Sequence, residues 1–230
     1  DNGLRVASEF LPGVESVAVS VSVNVGARYE NDSEGGISHL LEHMAFKGTA
    51  TRSARDIAEL FDNIGGQLNA YTSMEHTVYY AKVLSGDLEL AVDILGDILQ
   101  HSAFDENELA REKDVIIQEI AMHRDSPEDL IVDYFDDVAF PNQPLGRSIL
   151  GSEESVASYT RSDLIRYMQK YYTPQNMVLS AAGNIDHAAL VALANRYFRM
   201  KPTDAASPAC RKASYMGGDN RVQRTLEQLH

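Results

Sequence analysis

Basic side chains are scarce in this chain. Twenty Lys and Arg stand against 34 Asp and Glu, a formal net charge of −14 at pH 7 over 230 residues. A surface that neutralises phosphates needs the opposite balance, so nucleic acid is not expected as a partner. Cysteine occurs once, at Cys210, which excludes an intrachain disulfide and suits a reducing compartment. No apolar run approaches the ~20 residues that cross a bilayer, so no membrane span is expected. The opening DNGLRVASEF lacks the charged-then-apolar pattern of a signal peptide and reads instead as the start of a strand. Repeats and low-complexity linkers are also missing. What is present, 44% hydrophobic residues, can bury one sizeable core, with two small domains as the alternative.

The acidic charge is unevenly placed. Residues 196–230 carry seven basic and three acidic side chains, a balance of +4, which leaves −18 on the preceding 195 residues. An acidic body around a binding cavity attracts cationic ligands over long range; ordinary solubility charge is the plainer reading.

The periodicities predict alternating strands and helices. In VESVAVSVSVNVGA, Val17, Val19, Val21, Val23 and Val25 share one face of a half-buried strand. SARDIAELFDNIGG reads as a helix closed by Gly65 and Gly66. QLNAYTSMEHTVYYAKVL, rich in Thr, Tyr and Val, reads as one or two strands. GDLELAVDILGDILQHS places Leu88, Ala91, Val92, Leu95, Ile98 and Leu99 on one helical face. Asp105 can cap a long helix over ENELAREKDVIIQEIAMHRDSPED, and DENE also fits a capping box. Leu109, Val115, Ile116 and Ile120 recur there at helical spacing. PEDLIVDYFDDVAF continues helical, FPNQPLGRS is a loop, and TRSDLIRYMQKYY is a helix. The strand NMVLSAAGN and the helix DHAALVALANRYF follow, and the residues from KPTDAAS onward read as a loop. The pattern implies an α+β fold, a mixed β-sheet covered mainly on one face by helices.

One segment carries chemistry. In GGISHLLEHMAFKGT, His39, Glu42 and His43 stand at i, i+3 and i+4, which brings all three onto one helical face. This is the inverted zincin order, H-x-x-E-H. Two neutral imidazoles suit zinc, and the intervening Glu is placed to take a proton from a water held beside the ion. The bland alternative is a helix with two surface histidines. A catalytic zinc needs a third protein ligand. In the long downstream helix, Glu112 and Glu119 lie seven residues apart, about two turns, and so near one face. A carboxylate among Ile116, Ile117 and Ile120 is costly to bury without a compensating cation. Solvated charge is the competing reading. His123 follows Glu119 by four residues and is a rival ligand by spacing alone. His76, in a strand-like run, reads as a surface or substrate-groove residue, and His101, His187 and His230 have no partners at ligand spacing and read as structural or solvated.

These stretches resemble the pitrilysin-type (M16) zinc metallopeptidases, in the processing-protease branch that includes mitochondrial processing peptidase. The resemblance runs almost end to end, through DNGLRV, VNVGARYENDSEGGISHLLEHMAFKGT, IGGQLNAYTSMEHTVYYAKVL, REKDVIIQEI, PLGRSILGSEESV and YYTPQNMVLSAAGNID. It implies His39, His43 and Glu119 as ligands of one Zn2+ per domain, Glu42 as general base, and Glu112 as an accessory carboxylate acting through a ligand. It implies a LuxS/processing-peptidase-like metallohydrolase domain, and an edge strand at Asn69, Ala70, Tyr71 and Thr72 that binds an extended, basic peptide. Without the resemblance those four would read as a plain sheet edge.

The resemblance also implies a zinc endopeptidase closed by a second M16 domain, in the same chain or in a homo- or heterodimeric partner. Residues 1–210 are then the catalytic N-terminal domain, and 211–230 a linker and the start of the next domain. A half alone is expected to be weakly active or inactive. The bacterial cytoplasm is the expected compartment, with mitochondrial matrix and periplasm as alternatives. Three rival functions are a non-catalytic or substrate-recognition subunit of this fold, a zinc hydrolase of small molecules, and a structural metal module. A structural site usually closes with four ligands and often uses Cys, yet the only Cys lies far beyond Glu119.

Overall fold

The computed structural model describes residues 2–202 and 212–223. Strand β1 (Arg5–Phe10) is followed by β2 (Ser16–Val23), helices α1 (Ile37–Ala45) and α2 (Ala54–Asn63), and the hairpin strands β3 (Gln67–Thr72) and β4 (Thr77–Leu84). Then come α3 (Leu88–His101), α4 (Glu106–Asp125), α5 (Pro127–Ala139), the short α6 (Glu153–Ser158), α7 (Arg161–Tyr171), β5 (Met177–Gly183) and α8 (His187–Tyr197). The five strands form one sheet in the order β1-β5-β2-β4-β3. Only β1 and β5 pair in parallel; the rest is antiparallel. The fold is α+β.

Alternation along β2 decides which face is covered. Val17, Val19, Val21 and Val23 are buried to 1% exposure or less, and Val25 stays buried just beyond the strand. Tyr79, Ala81 and Val83 of β4 and Met177, Leu179 and Ala181 of β5 continue this face, over which α3 packs. The opposite face carries Ala18, Ser20 and Ser22, with Ser20 and Ser180 hydroxyls 2.9 Å apart, and is open. Helix α3 buries nine residues and keeps a polar stripe of Glu89, Asp93, Asp97 and His101 at four-residue spacing.

Three local readings change. Val115 shares the helical spacing of α4 but is 45% exposed, because α4 faces the core through Leu109, Ile116 and Ile120, with Ile117 at the margin. The helical run through Pro127 is two helices, broken at Ser126, which caps α5 by accepting from Asp129 N with Pro127 at the first turn. Asp105 does cap α4 by accepting from the backbone of Asn107 and Glu108. The reciprocal half of that capping box is not made; the Glu108 carboxylate pairs with Arg111 instead. Cys210, residue 211 and residues 224–230, His230 among them, lie outside the described residues.

Candidate metal centre and substrate cleft

Helix α1 is held at its N-terminus before it presents any chemistry. The buried Glu30 carboxylate accepts from Gly36 N and Ser38 N, both at 2.9 Å, and so satisfies two of the helix's unpaired donors. Burial, the largest influence, raises Glu30 to about 7; the bonds from Ser38 and Gly36 and the charge of Arg147 pull the other way. Gly36 sits at φ 84°, and a Cβ there would stand 2.6 Å from the Leu150 carbonyl oxygen. Only glycine fits that turn. Ser38 Oγ also meets Tyr167 OH at 2.8 Å, fixing α1 against α7.

From this helix His39 and His43 project side by side, ring centroids 4.6 Å apart. Helix α4 packs across α1 and brings Glu119 to them. Its Oε2 lies 3.8 Å from His39 Nε2 and 3.6 Å from His43 Nε2. The three donor atoms fall within 4.8 Å of one another. Ligands around a tetrahedral zinc stand roughly 3.3 Å apart, so a small contraction completes the set. The donor chemistry fits as well. Desolvation and the neighbouring His43 lower His39 to about 4, keeping its imidazole neutral. Its buried Nδ1 has no hydrogen-bond partner among the described residues.

Glu112 lies two turns before Glu119 and is buried. His43 donates from Nδ1 to its Oε2 at 3.1 Å, which leaves the lone pair of Nε2 directed to the ligand cluster. Lys47 Nζ is 2.7 Å from the other oxygen, the compensating cation that burial demands. Glu42 points away from Glu112 and toward β3, where Thr72 Oγ1 donates to it at 2.5 Å. Burial raises its pKa, with Glu119 adding to the rise and Thr72 and His43 opposing it.

Strand β3 pairs only with β4, so its other backbone edge is free among the described strands. A cleft of about 790 Å³ runs beside it and contains His39, Glu42 and Glu119. Of the four expected edge residues, Ala70, Tyr71 and Thr72 line this cleft. Asn69 does not; it lines a separate hollow beneath α2, and its side chain accepts from Ala70 N at 2.8 Å. Opposite β3, helix α5 contributes Asp129, Asp133 and Asp136 to the wall. Burial and Asp133 together raise Asp136. His123 turns from His39, His43 and Glu119 to Asp133, Nε2 to Oδ2 2.9 Å. His101 and His187 engage Asp97 and Ser8, and His76 is exposed. Sequence reasoning missed Lys47, Glu30 and the α5 acids. The i, i+4, i+7 spacing of Asp129, Asp133 and Asp136 was the available signal.

Comparisons with known proteins agree with this architecture. Residues 5–153 match the family model described as insulinase (peptidase family M16), and residues 158–228 the model described as peptidase M16 inactive domain. The boundary between the matches does not divide the sheet, since β5 lies between β1 and β2. An uncharacterized zinc protease of Rickettsia felis is 47% identical over 99% of this chain and 55% of its own length. The uncharacterized zinc protease YmxG of Bacillus subtilis is 52% identical over 80% of this chain and 45% of its own. Mitochondrial-processing peptidase subunit beta of Lentinula edodes is 43% identical over 96% of this chain and 49% of its own. The chain thus spans about half the length of these relatives. In fold it is similar to a protease from Helicobacter pylori, with a TM-score of 0.87 at 24% identity over 94% of this chain and 53% of that one. No helix among the described residues is long and apolar enough to cross a membrane. With a helix-borne pair of histidines, a carboxylate from a second helix and matches along nearly its whole length, the chain belongs to the insulinase family of peptidases, M16.

Proposed function

We propose that this chain is the catalytic half of a zinc endopeptidase that cleaves extended, basic peptides. A second domain of the same fold, in the same chain or a partner subunit, completes the chamber around the cleft. Residues 1–210 form the catalytic domain in this reading and hold one zinc ion through His39, His43 and Glu119. The observation that carries it is the cluster of those three donors, two of which, His39 and Glu119, line one cleft together with a free strand edge.

Zinc, when bound, polarises the scissile carbonyl and makes a coordinated water acidic near neutral pH. The chain's own residues do the rest. Glu42 accepts the proton of the attacking water and returns it to the leaving amine. Thr72 holds that carboxylate in place. Glu112 fixes the ring of His43. The free edge of β3 pairs with substrate backbone as an added strand, which aligns the scissile bond without reading its side chains. Selectivity for cationic residues comes from Asp129, Asp133 and Asp136 across the cleft.

The test is metal analysis of the full-length protein together with a panel of fluorogenic peptides, basic against acidic. One zinc per catalytic domain, and turnover of basic peptides that a chelator abolishes, are expected. Turnover undiminished by complete removal of zinc refutes the reading. The isolated 230 residues should bind zinc yet cleave poorly, because half of the chamber is missing.

A further inference from the structure

Lys47 follows α1 by two residues and is fixed from below. Its loop is pinned to α3 through Thr49 and Arg52, which donate to the buried Asp97 at 2.8 and 2.7 Å. Backbone bonds from Ala50 to His101 and from Ala103 to Gly48 add to that hold. The loop therefore presents Lys47 from a rigid base, and its ammonium ends 2.7 Å from Glu112 Oε1. The remaining oxygen, Oε2, is the one His43 donates to. A carboxylate can rotate about its last bonds, and a buried one with a single partner has no reason to keep both oxygens placed. With both oxygens engaged, its orientation is set.

We propose that Lys47 is a positioning residue of the metal centre. It holds Glu112 so that Glu112 orients the His43 ring, with Nε2 facing Glu119. The line of contact runs from Asp97 in α3 through the 47–52 loop to Lys47, then Glu112, then His43. This rests on the zinc-site reading above and extends it to a residue outside the metal-binding motif.

The test is zinc affinity, read by competition with a chromogenic chelator on the full-length protein, with circular dichroism and thermal melting confirming the fold. Lys47→Met should weaken zinc binding about tenfold or more, the scale on which partners of a ligand act. Lys47→Arg, which keeps a cationic donor, should bind within about threefold of the parent. In a Glu112→Gln background, Lys47→Met should have no further effect, since the carboxylate it positions is already gone. Parent-like affinity in Lys47→Met overturns the proposal, as does a full additional loss in the double variant. If the parent protein itself binds no zinc, the reading of the site fails, and the proposal fails with it. A parent that binds zinc and a Lys47→Met variant that binds equally well refute the proposal alone.

Discussion

Thr72 Oγ1 donates to Glu42 Oε2 across 2.5 Å, joining the last residue of an edge strand to the middle of α1, the helix that carries His39 and His43. Whatever pairs with β3 therefore lies at a set distance from Glu42. One hydroxyl thus ties the register of β3 to the position of the Glu42 carboxylate.

Glu42→Gln should separate the two roles of α1. The amide still fills the space but cannot accept a proton, so zinc content should stay at the parent level while peptide turnover falls by about 10²–10⁴. His43→Ala and Glu119→Ala should instead lose the metal, each removing one of the three donors. Zinc stoichiometry and turnover measured on the same full-length samples distinguish them. Turnover by Glu42→Gln near the parent rate excludes Glu42 as the base.

Charge on α5 should govern substrate choice. Asp129→Asn and Asp133→Asn each remove one negative charge from the cleft wall, worth about 1 kcal/mol near a wet surface. KM for a basic peptide should rise about fivefold per substitution, with little change for a neutral one. Raising salt should shrink the difference. Equal effects on basic and neutral peptides would count against an electrostatic role.

Backbone geometry before α1 gives a test that needs no activity. Gly36→Ala forces a side chain into φ 84° and against the Leu150 carbonyl, and should cost about 3 kcal/mol by chemical denaturation. Gly35→Ala is the control. Nothing lies within 4 Å of its Cβ position, so its cost should stay below about 0.5 kcal/mol.

Glu30 should make stability depend on pH. Its pKa is raised from 4.5 to about 7 in the folded protein, so the fold favours the protonated form. That contribution is complete below pH 4.5 and lost as pH climbs through 7. Between pH 5 and pH 8 the parent should lose about 2–3 kcal/mol more stability than Glu30→Gln, which has no proton to release. An equal loss of stability in the two proteins between these pH values, read from denaturation curves, would show that Glu30 titrates normally.

Short-range patterns were legible in the sequence because they are set by neighbours along the chain. The valine alternation of β2, the capped α2 and the apolar face of α3 needed no tertiary knowledge. So did the i, i+3, i+4 cluster of His39, Glu42 and His43. Val115 misled because periodicity shows which residues share a face, not how wide the covered stripe is. Spacing alone left His123 a rival to Glu119; the resemblance chose between them. The side chain of His123 is taken up by Asp133 on a different helix, a long-range fact. Lys47 and Glu30 were invisible for the same reason. Each is an ordinary polar residue until folding places Glu112 or the start of α1 beside it.

Strand order also dictates when this domain can assemble. Among the described elements β5 comes second to last in chain order, yet it is wedged between β1 and β2, the first two. A nascent chain emerging from the ribosome holds its histidine pair and both glutamates long before the strand that joins β1 to the sheet exists. Loop closure over that separation makes the final docking slow. Until residues 177–183 arrive, the helices that carry His39, His43 and Glu119 lack a finished platform, and a chain cut short before them should not fold.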